Sequence, residues 1–205
     1  TKISADLSSY MNGYQDPRRE IYGVTSTFDE SENITNGFHG LRVGNEYPIK
    51  TGQCYSNVKV EVSSPIMWMN AAEVMFLRAE AALRGWDTEK TPKAYYEAGI
   101  RLSFEQLGAK NVEDYLVSTN TPESYKDPLG TYSFSGTPST ISVQWKDGNF
   151  EESLERIITQ KWIANFPLGL EAWAEFRRTG YPKLMGTASN KSGGDIEEGK
   201  FPRRL

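Results

Sequence analysis

One cysteine, Cys54, and one histidine, His39, are all that 205 residues offer in thiol and imidazole chemistry. A lone cysteine excludes an internal disulfide and argues against a structural zinc site, so Cys54 is expected as a small buried side chain. His39, flanked by Phe38 and Gly40, has no GxSxG or comparable nucleophile motif to serve, and a catalytic role is not expected of it. Long apolar runs are also missing: the longest, around Ile66 to Met69, falls far short of the ~20 residues that span a bilayer. Thr1 opens directly into polar sequence, with no signal peptide or lipobox cysteine, so any export or lipid-anchoring signal would have to lie upstream. A net charge of -4 with 24% charged residues provides no basic stripe, and a nucleic-acid partner is not expected. Phosphate-binding glycine loops, dinucleotide fingerprints and CxxC pairs are lacking, so no cofactor and no metal is implied. Asp147 to Glu152, DGNFEE, begins like a calcium loop but lacks the glycine at position six and the glutamate at position twelve, and reads as a turn into a helix cap.

What is present is helical punctuation. Ser4 caps a short helix carrying Leu7, Tyr10 and Met11 and ending at Gly13, followed by a DPRR turn at Asp16 to Arg19. Asn70 opens a helix to Gly85 with Ala72, Phe76, Ala79 and Leu83 on one stripe and Val74, Leu77 and Ala81 beside it. Thr91 and Pro92 open the next, through Leu107 to Gly108, with Tyr96, Ile100, Phe104 and Leu107 in phase. The two span about 34 residues with small side chains at the contact, like one degenerate tetratricopeptide unit. Asn111 to Leu116 is a further short helix. Asn149, with Glu152 three residues on, starts a helix whose Leu154, Ile157, Ile158 and Trp162 share a face. Pro167 interrupts it, and Leu168 to Thr179 resumes with a stripe of Leu170, Trp173, Ala174 and Phe176 before Gly180. The sequence thus predicts an all-α, mostly helical chain with helical hairpins at about 70–108 and 149–180. Long loops occupy about 22–64, with one or two short strands near Asn57 to Val62, and about 117–148.

Several of these stretches carry a family resemblance. ITQKWIANFPLGLEAWAEFRRTGYP, MNAAEVMFLRAEAALRGW, SSYMNGYQDPRREIY and the terminal FPRRL resemble the C-terminal part of SusD/RagB outer-membrane nutrient-binding lipoproteins. The resemblance extends, with gaps in the loops, over nearly the whole chain. It implies that residues 1–205 are the C-terminal portion of a single SusD-like domain, less than half of a full-length member, beginning in mid-protein and stopping before a family tail. It further implies tetratricopeptide-like helix pairs and an N-terminal lipid anchor, not within this chain, on the extracellular face of the outer membrane. The implied partner is a SusC-like TonB-dependent transporter, to which oligosaccharides or peptides are delivered with no bond broken.

The residues themselves suggest where cargo would touch. Aromatics make up 12% of the chain. Trp68, Trp86, Trp162 and Trp173 fall at helix starts, ends or faces and are expected in helix packing. Phe38, Tyr47, Tyr55, Tyr125, Tyr132 and Trp145 fall in loops, where a ring can stack on a sugar face while polar neighbours bond its hydroxyls. Phe38, Tyr47, Tyr55, Tyr132 and Trp145 are the candidate ligand contacts. Glu171 and Glu175, one helical turn apart, read as a salt-bridged face with Arg177 and Arg178 and not as a glycosidase pair. A helical scaffold that binds only protein, and a glycoside hydrolase, are the alternatives to ligand capture.

Overall fold

A computed structural model describes residues 1–26, 37–46, 54–65, 67–86, 89–197 and 200–201. Tyr47 and most of the terminal FPRRL lie outside the described residues. The chain divides into two compact units, the first made of Thr1–Glu61, Pro122–Thr140 and Leu184–Leu205, the second of Val62–Thr121 and Ile141–Lys183.

The first unit has two helices, α1 (Ala5–Gly13) and α2 (Arg19–Tyr22), and one antiparallel pair, β1 (Gly23–Val24) with β2 (Asn57–Val58). Ser4 caps α1 as the sequence predicts, its hydroxyl accepting the Leu7 amide at 3.1 Å. Leu7, Tyr10 and Met11 are buried, and the Tyr10 and Tyr14 rings meet edge-on at 5.9 Å. Beyond that the unit is stitched, not packed in layers. Ile3 and Leu41 are joined by a backbone bond of 2.7 Å, Ala5 and Leu41 by one of 2.9 Å, and Ile3 and Ser56 by another of 2.9 Å. Gly40 is required where these segments touch, because a Cβ there would lie 2.1 Å from the Ser4 carbonyl oxygen. Arg42 donates to the carbonyls of Tyr132 and Ser133 at 3.1 Å and of Met185 and Gly186 at 3.4 Å. One guanidinium thereby ties together three stretches that are far apart in sequence.

The second unit holds α3 (Ala71–Leu83), α4 (Pro92–Leu107), α5 (Val112–Leu116), α6 (Phe150–Ala164) and α7 (Gly169–Thr179). α3 and α4 form the tetratricopeptide-like pair. Gly99 on α4 admits the Phe76 ring of α3, which a Cβ would meet at 2.8 Å; that ring meets Tyr96 edge-on at 6.2 Å. The caps are those expected, with Asn70 accepting from Ala72, Thr91 from Ala94 and Asn149 from Glu152. Gly108 and Gly180 close α4 and α7 in the left-handed conformation.

Three expectations change. α6 was to bury one face, but Ser153 through Lys161 are all buried, polar residues included. The reason is ionic: Lys161, 3% exposed, sits between Glu73 at 3.2 Å and Glu175 at 3.3 Å, and Glu155 pairs with Lys183 at 2.8 Å. α6 packs chiefly on α3, and only lightly on the α7 that follows it. The α7 stripe is not a core stripe either: Phe176 is its one buried residue and Leu170 is 87% exposed. What fastens α7 is polar, Arg178 reaching Glu80 of α3 with both amino groups at 2.7 Å. Finally, Trp68 and Trp86 are 88% and 78% exposed, because each lies just outside the cap of α3 and beyond the reach of its packed face. Cys54 is fully buried, as expected.

Candidate functional site

The first unit carries a groove built from α1 and the turn after it, the start of α2, Thr25, Gly37–His39 and residues 123–126. Its wider part encloses about 680 Å³ and is lined by Asn12, Gln15, Arg19, Thr25, His39 and Glu123. A narrower part of about 280 Å³ shares Asn12, Phe38, His39 and Glu123 and adds Ser8 and Lys126.

Each lining side chain has a local cause. The DPRR turn after α1 is more than a turn: Asp16 accepts from the Arg18 amide at 2.9 Å and from its guanidinium at 2.6 Å and 3.0 Å. Both side chains are fully buried, which fixes where the next residue, Arg19, starts. Arg19 then donates to Asn12 Oδ1 at 3.0 Å, while Asn12 Nδ2 donates to the Phe38 carbonyl at 2.9 Å. Gln15 stands exposed in a left-handed backbone with φ of 53°, a conformation that residues with a Cβ seldom take.

The far wall is pinned by backbone. Ser26 and Gly37 are bridged at 2.8 Å. The His39 amide donates to Ser56 Oγ at 3.0 Å and its carbonyl accepts from Ser56 at 2.7 Å. The imidazole lies over Gly37, where a Cβ would come within 2.7 Å of Nε2. Glu123 is held to α1 by both backbone groups: its amide donates to the Ser9 carbonyl at 3.1 Å, and the Ser9 hydroxyl donates to its carbonyl. Behind it, the Tyr125 hydroxyl donates to the Gly40 carbonyl at 2.7 Å.

The expected ligand contacts are dispersed. Phe38 is 4% exposed, beneath Gly23, where a Cβ would come 2.5 Å from its Cε2. Tyr55 is 1% exposed, donating to Asp127 Oδ1 at 2.7 Å and accepting from Asn45 at 3.0 Å. Burial, then the bond to Asp127, pushes its hydroxyl well above the usual phenol range. Both rings are almost fully covered, Phe38 within the lining of the groove and Tyr55 apart from it. Tyr132 is half-buried, its hydroxyl donating to the Glu46 carbonyl at 3.2 Å. Trp145, in the second unit, is half-buried 5.3 Å from the Tyr96 ring, with its indole nitrogen donating to Asp147 at 3.0 Å. Tyr47 lies outside the described residues.

The groove gathers Asn12, Gln15, Arg19, His39 and Glu123 together with one of the expected aromatic contacts, Phe38. The one signal for them in sequence was DPRR beside a lone histidine. Planar amides, a guanidinium and an imidazole suit hydroxyl-rich ligands, since each offers directional hydrogen bonds. Glycoside hydrolysis needs two facing carboxyl groups, and Glu123 is the one carboxylate among the described lining residues. No cluster of three or more metal-ligating side chains occurs among the described residues, and no described helix is long and apolar enough to cross a membrane.

A mostly helical, tetratricopeptide-like chain with a polar groove is a binding architecture, and comparison with known proteins gives its family. The profile described as "SusD-like: Susd and RagB outer membrane lipoprotein" matches residues 1–205. A SusD homolog from Bacteroides ovatus superimposes with a TM-score of 0.89 at 50% identity, over 97% of this chain and 42% of that one. One from Bacteroides thetaiotaomicron does so with a TM-score of 0.84 at 48% identity, over 91% and 39%. A chitin-binding SusD homolog from Flavobacterium johnsoniae matches with a TM-score of 0.86 at 43% identity, over 96% and 41%. No curated protein sequence matches the chain. The chain belongs to the SusD/RagB family of outer-membrane lipoproteins, and it spans about two fifths of the length of these solved relatives.

Proposed function

We propose that this chain is the C-terminal portion of a SusD-like domain that captures oligosaccharides at the cell surface. The parent protein would hold them, without breaking a bond, for a SusC-like TonB-dependent transporter. The observation that carries the reading is the groove of Asn12, Gln15, Arg19, His39 and Glu123, in a family with a chitin-binding relative. Oligosaccharide is favoured over peptide because the planar polar side chains of Asn12, Gln15, Arg19 and His39 line the groove and a solved relative binds chitin. We place the parent protein on the extracellular face through a lipid anchor, a reading that the family's outer-membrane lipoprotein character supports. Capture followed by release requires only modest affinity, roughly 4 to 8 kcal/mol for millimolar to micromolar dissociation constants. Trp68, Met69, Trp86 and Leu170, exposed on the second unit, favour a protein contact there, which we give to the transporter.

The test is isothermal titration against chitin oligomers, neutral glucans, acidic oligosaccharides and short peptides, with Gln15→Ala, Tyr132→Ala and Trp145→Ala alongside. We expect saturable oligosaccharide binding that weakens about three- to tenfold in Gln15→Ala, the loss of one or two neutral hydrogen bonds. Binding abolished in Tyr132→Ala or Trp145→Ala but unchanged in Gln15→Ala would move the site to the loop aromatics. No binding to any of these would return the chain to the scaffold reading.

A further inference from the structure

We infer that the groove selects oligosaccharides bearing a carboxylate, and that Arg19 is the residue that reads it. The inference rests on the capture reading above and deepens it. The described lining residues include Arg19, His39 and Lys126, which are basic, and Glu123, which is acidic. Arg19 is placed by a relay of side chains. The buried Asp16–Arg18 pair fixes its backbone, Asn12 takes one of its N–H groups at 3.0 Å, and Asn12 is itself held by the Phe38 carbonyl. Glu20, the nearest carboxylate recorded for it among the described residues, stands 4.0 Å away with a 76% exposed side chain. That is outside hydrogen-bond distance and largely solvated. A guanidinium has five donors in a rigid fork, so a partly covered Arg19 held through a single amide retains an edge for a ligand. Its geometry matches a planar carboxylate through two parallel bonds, a match that a neutral hydroxyl cannot make. Glu123 does not cancel this selection, because its backbone is anchored to Ser9 while its side chain is exposed to water.

The ligand this chemistry fits is a uronate-containing oligosaccharide. The test titrates the 205-residue chain with galacturonate, glucuronate and mannuronate oligomers, each paired with its own methyl ester, so that only the charge differs within a pair. Short acidic peptides and sulfated oligosaccharides of equal length are included. At least one uronate should bind about tenfold or more tighter than its ester, the step from a neutral to a charge-assisted bond. Arg19→Gln should erase that preference, Arg19→Lys should restore part of it, and rising salt should shrink it in the wild type. Lys59→Gln, exposed and outside the groove lining, should leave it within about twofold. Thermal melts of each variant verify folding before titration. Equal binding of acid and ester in all three pairs overturns the charge inference and leaves the capture reading intact. Preference for acidic peptides or sulfated sugars over every uronate also overturns it. No binding by any oligosaccharide, neutral ones included, overturns the capture reading itself.

Discussion

The two units solve the same problem with opposite means. In the first, short helices and loops are tied by side chains that reach backbone: Arg42 to four carbonyls, Asn12 to Phe38, Asp127 to the amide of Tyr132 at 3.0 Å. In the second, α3 and α4 pack on apolar faces, while α6 and α7 are fastened by ion pairs between side chains, Lys161 with Glu73 and Glu175, Glu80 with Arg178. A loop held by side chain-to-backbone bonds keeps its other polar groups facing outward, and that is where the groove opens. A helical unit satisfies its backbone internally, and this one leaves several large apolar side chains exposed among its charged ones, as at Trp68 and Leu170. The proposed function gives specificity to the first unit and docking to the second.

The sharpest way to break the comparison is Asp16→Ala. It strands Arg18, fully buried, without its carboxylate, and removing one partner of such a pair costs about 3–5 kcal/mol. Urea denaturation followed by circular dichroism should show that loss; a change near zero would mean that the first unit does not depend on polar stitching. The counterpart in the second unit is Lys161→Met, which should cost less, about 1–3 kcal/mol. Glu73 and Glu175 retain 18% and 14% side-chain exposure, and Glu175 retains Arg178 at 2.7 Å. All five tryptophans fall in the second unit, so their fluorescence during urea unfolding reports this change from within it. A loss larger than that of Asp16→Ala would reverse the ranking of the two units.

The helices were legible because caps are local. Ser4, Asn70, Thr91 and Asn149 each bond an amide two or three residues away, and a short window of sequence contains the whole cause. The surroundings of those helices were not local. Trp68 and Trp86 sit at helix ends, where periodicity cannot say which side is covered, and the stripe of α7 loses to the Arg178–Glu80 pair across 98 residues of sequence. The burial of α6 on every side depends on Glu73, Glu175 and Lys183, which lie on other segments. The groove was hidden for the same reason. It exists because Asn12 meets Phe38 and Ser9 meets Glu123, contacts that join stretches with no shared motif. Aromatic content pointed to Phe38 and Tyr55, yet an aromatic ring in a loop gains more from burial, about 1.5–3 kcal/mol, than from waiting in water for a ligand.

The smallest effect separates the units by the sign of their response to acid. Asp6, buried in the first unit, accepts the Met185 amide at 2.7 Å. Its burial outweighs that bond and the nearby Arg42, lifting its pKa from 3.8 to about 6. A carboxyl raised on folding binds protons more readily in the native state, so its ionised form opposes folding at neutral pH and the opposition fades as pH falls toward 4. Glu80 in the second unit runs the other way. Burial would raise it, but Arg178 and Arg84 together hold it below 4.5, so its contribution is present above that value and is lost as pH falls through the folded pKa. Between pH 7 and pH 5, therefore, wild type should gain about 1 kcal/mol relative to Asp6→Asn, an increment set by one carboxyl titrating near 6. Asn can still accept the Met185 amide, so the variant removes the charge and keeps the bond. Glu80→Gln should leave that limb unchanged and flatten the loss below pH 4.5. Urea midpoints at pH 7, 5 and 4 for the three proteins decide it: parallel curves for wild type and Asp6→Asn would mean that Asp6 titrates as an ordinary solvated carboxylate and that its tether to Met185 carries no electrostatic cost.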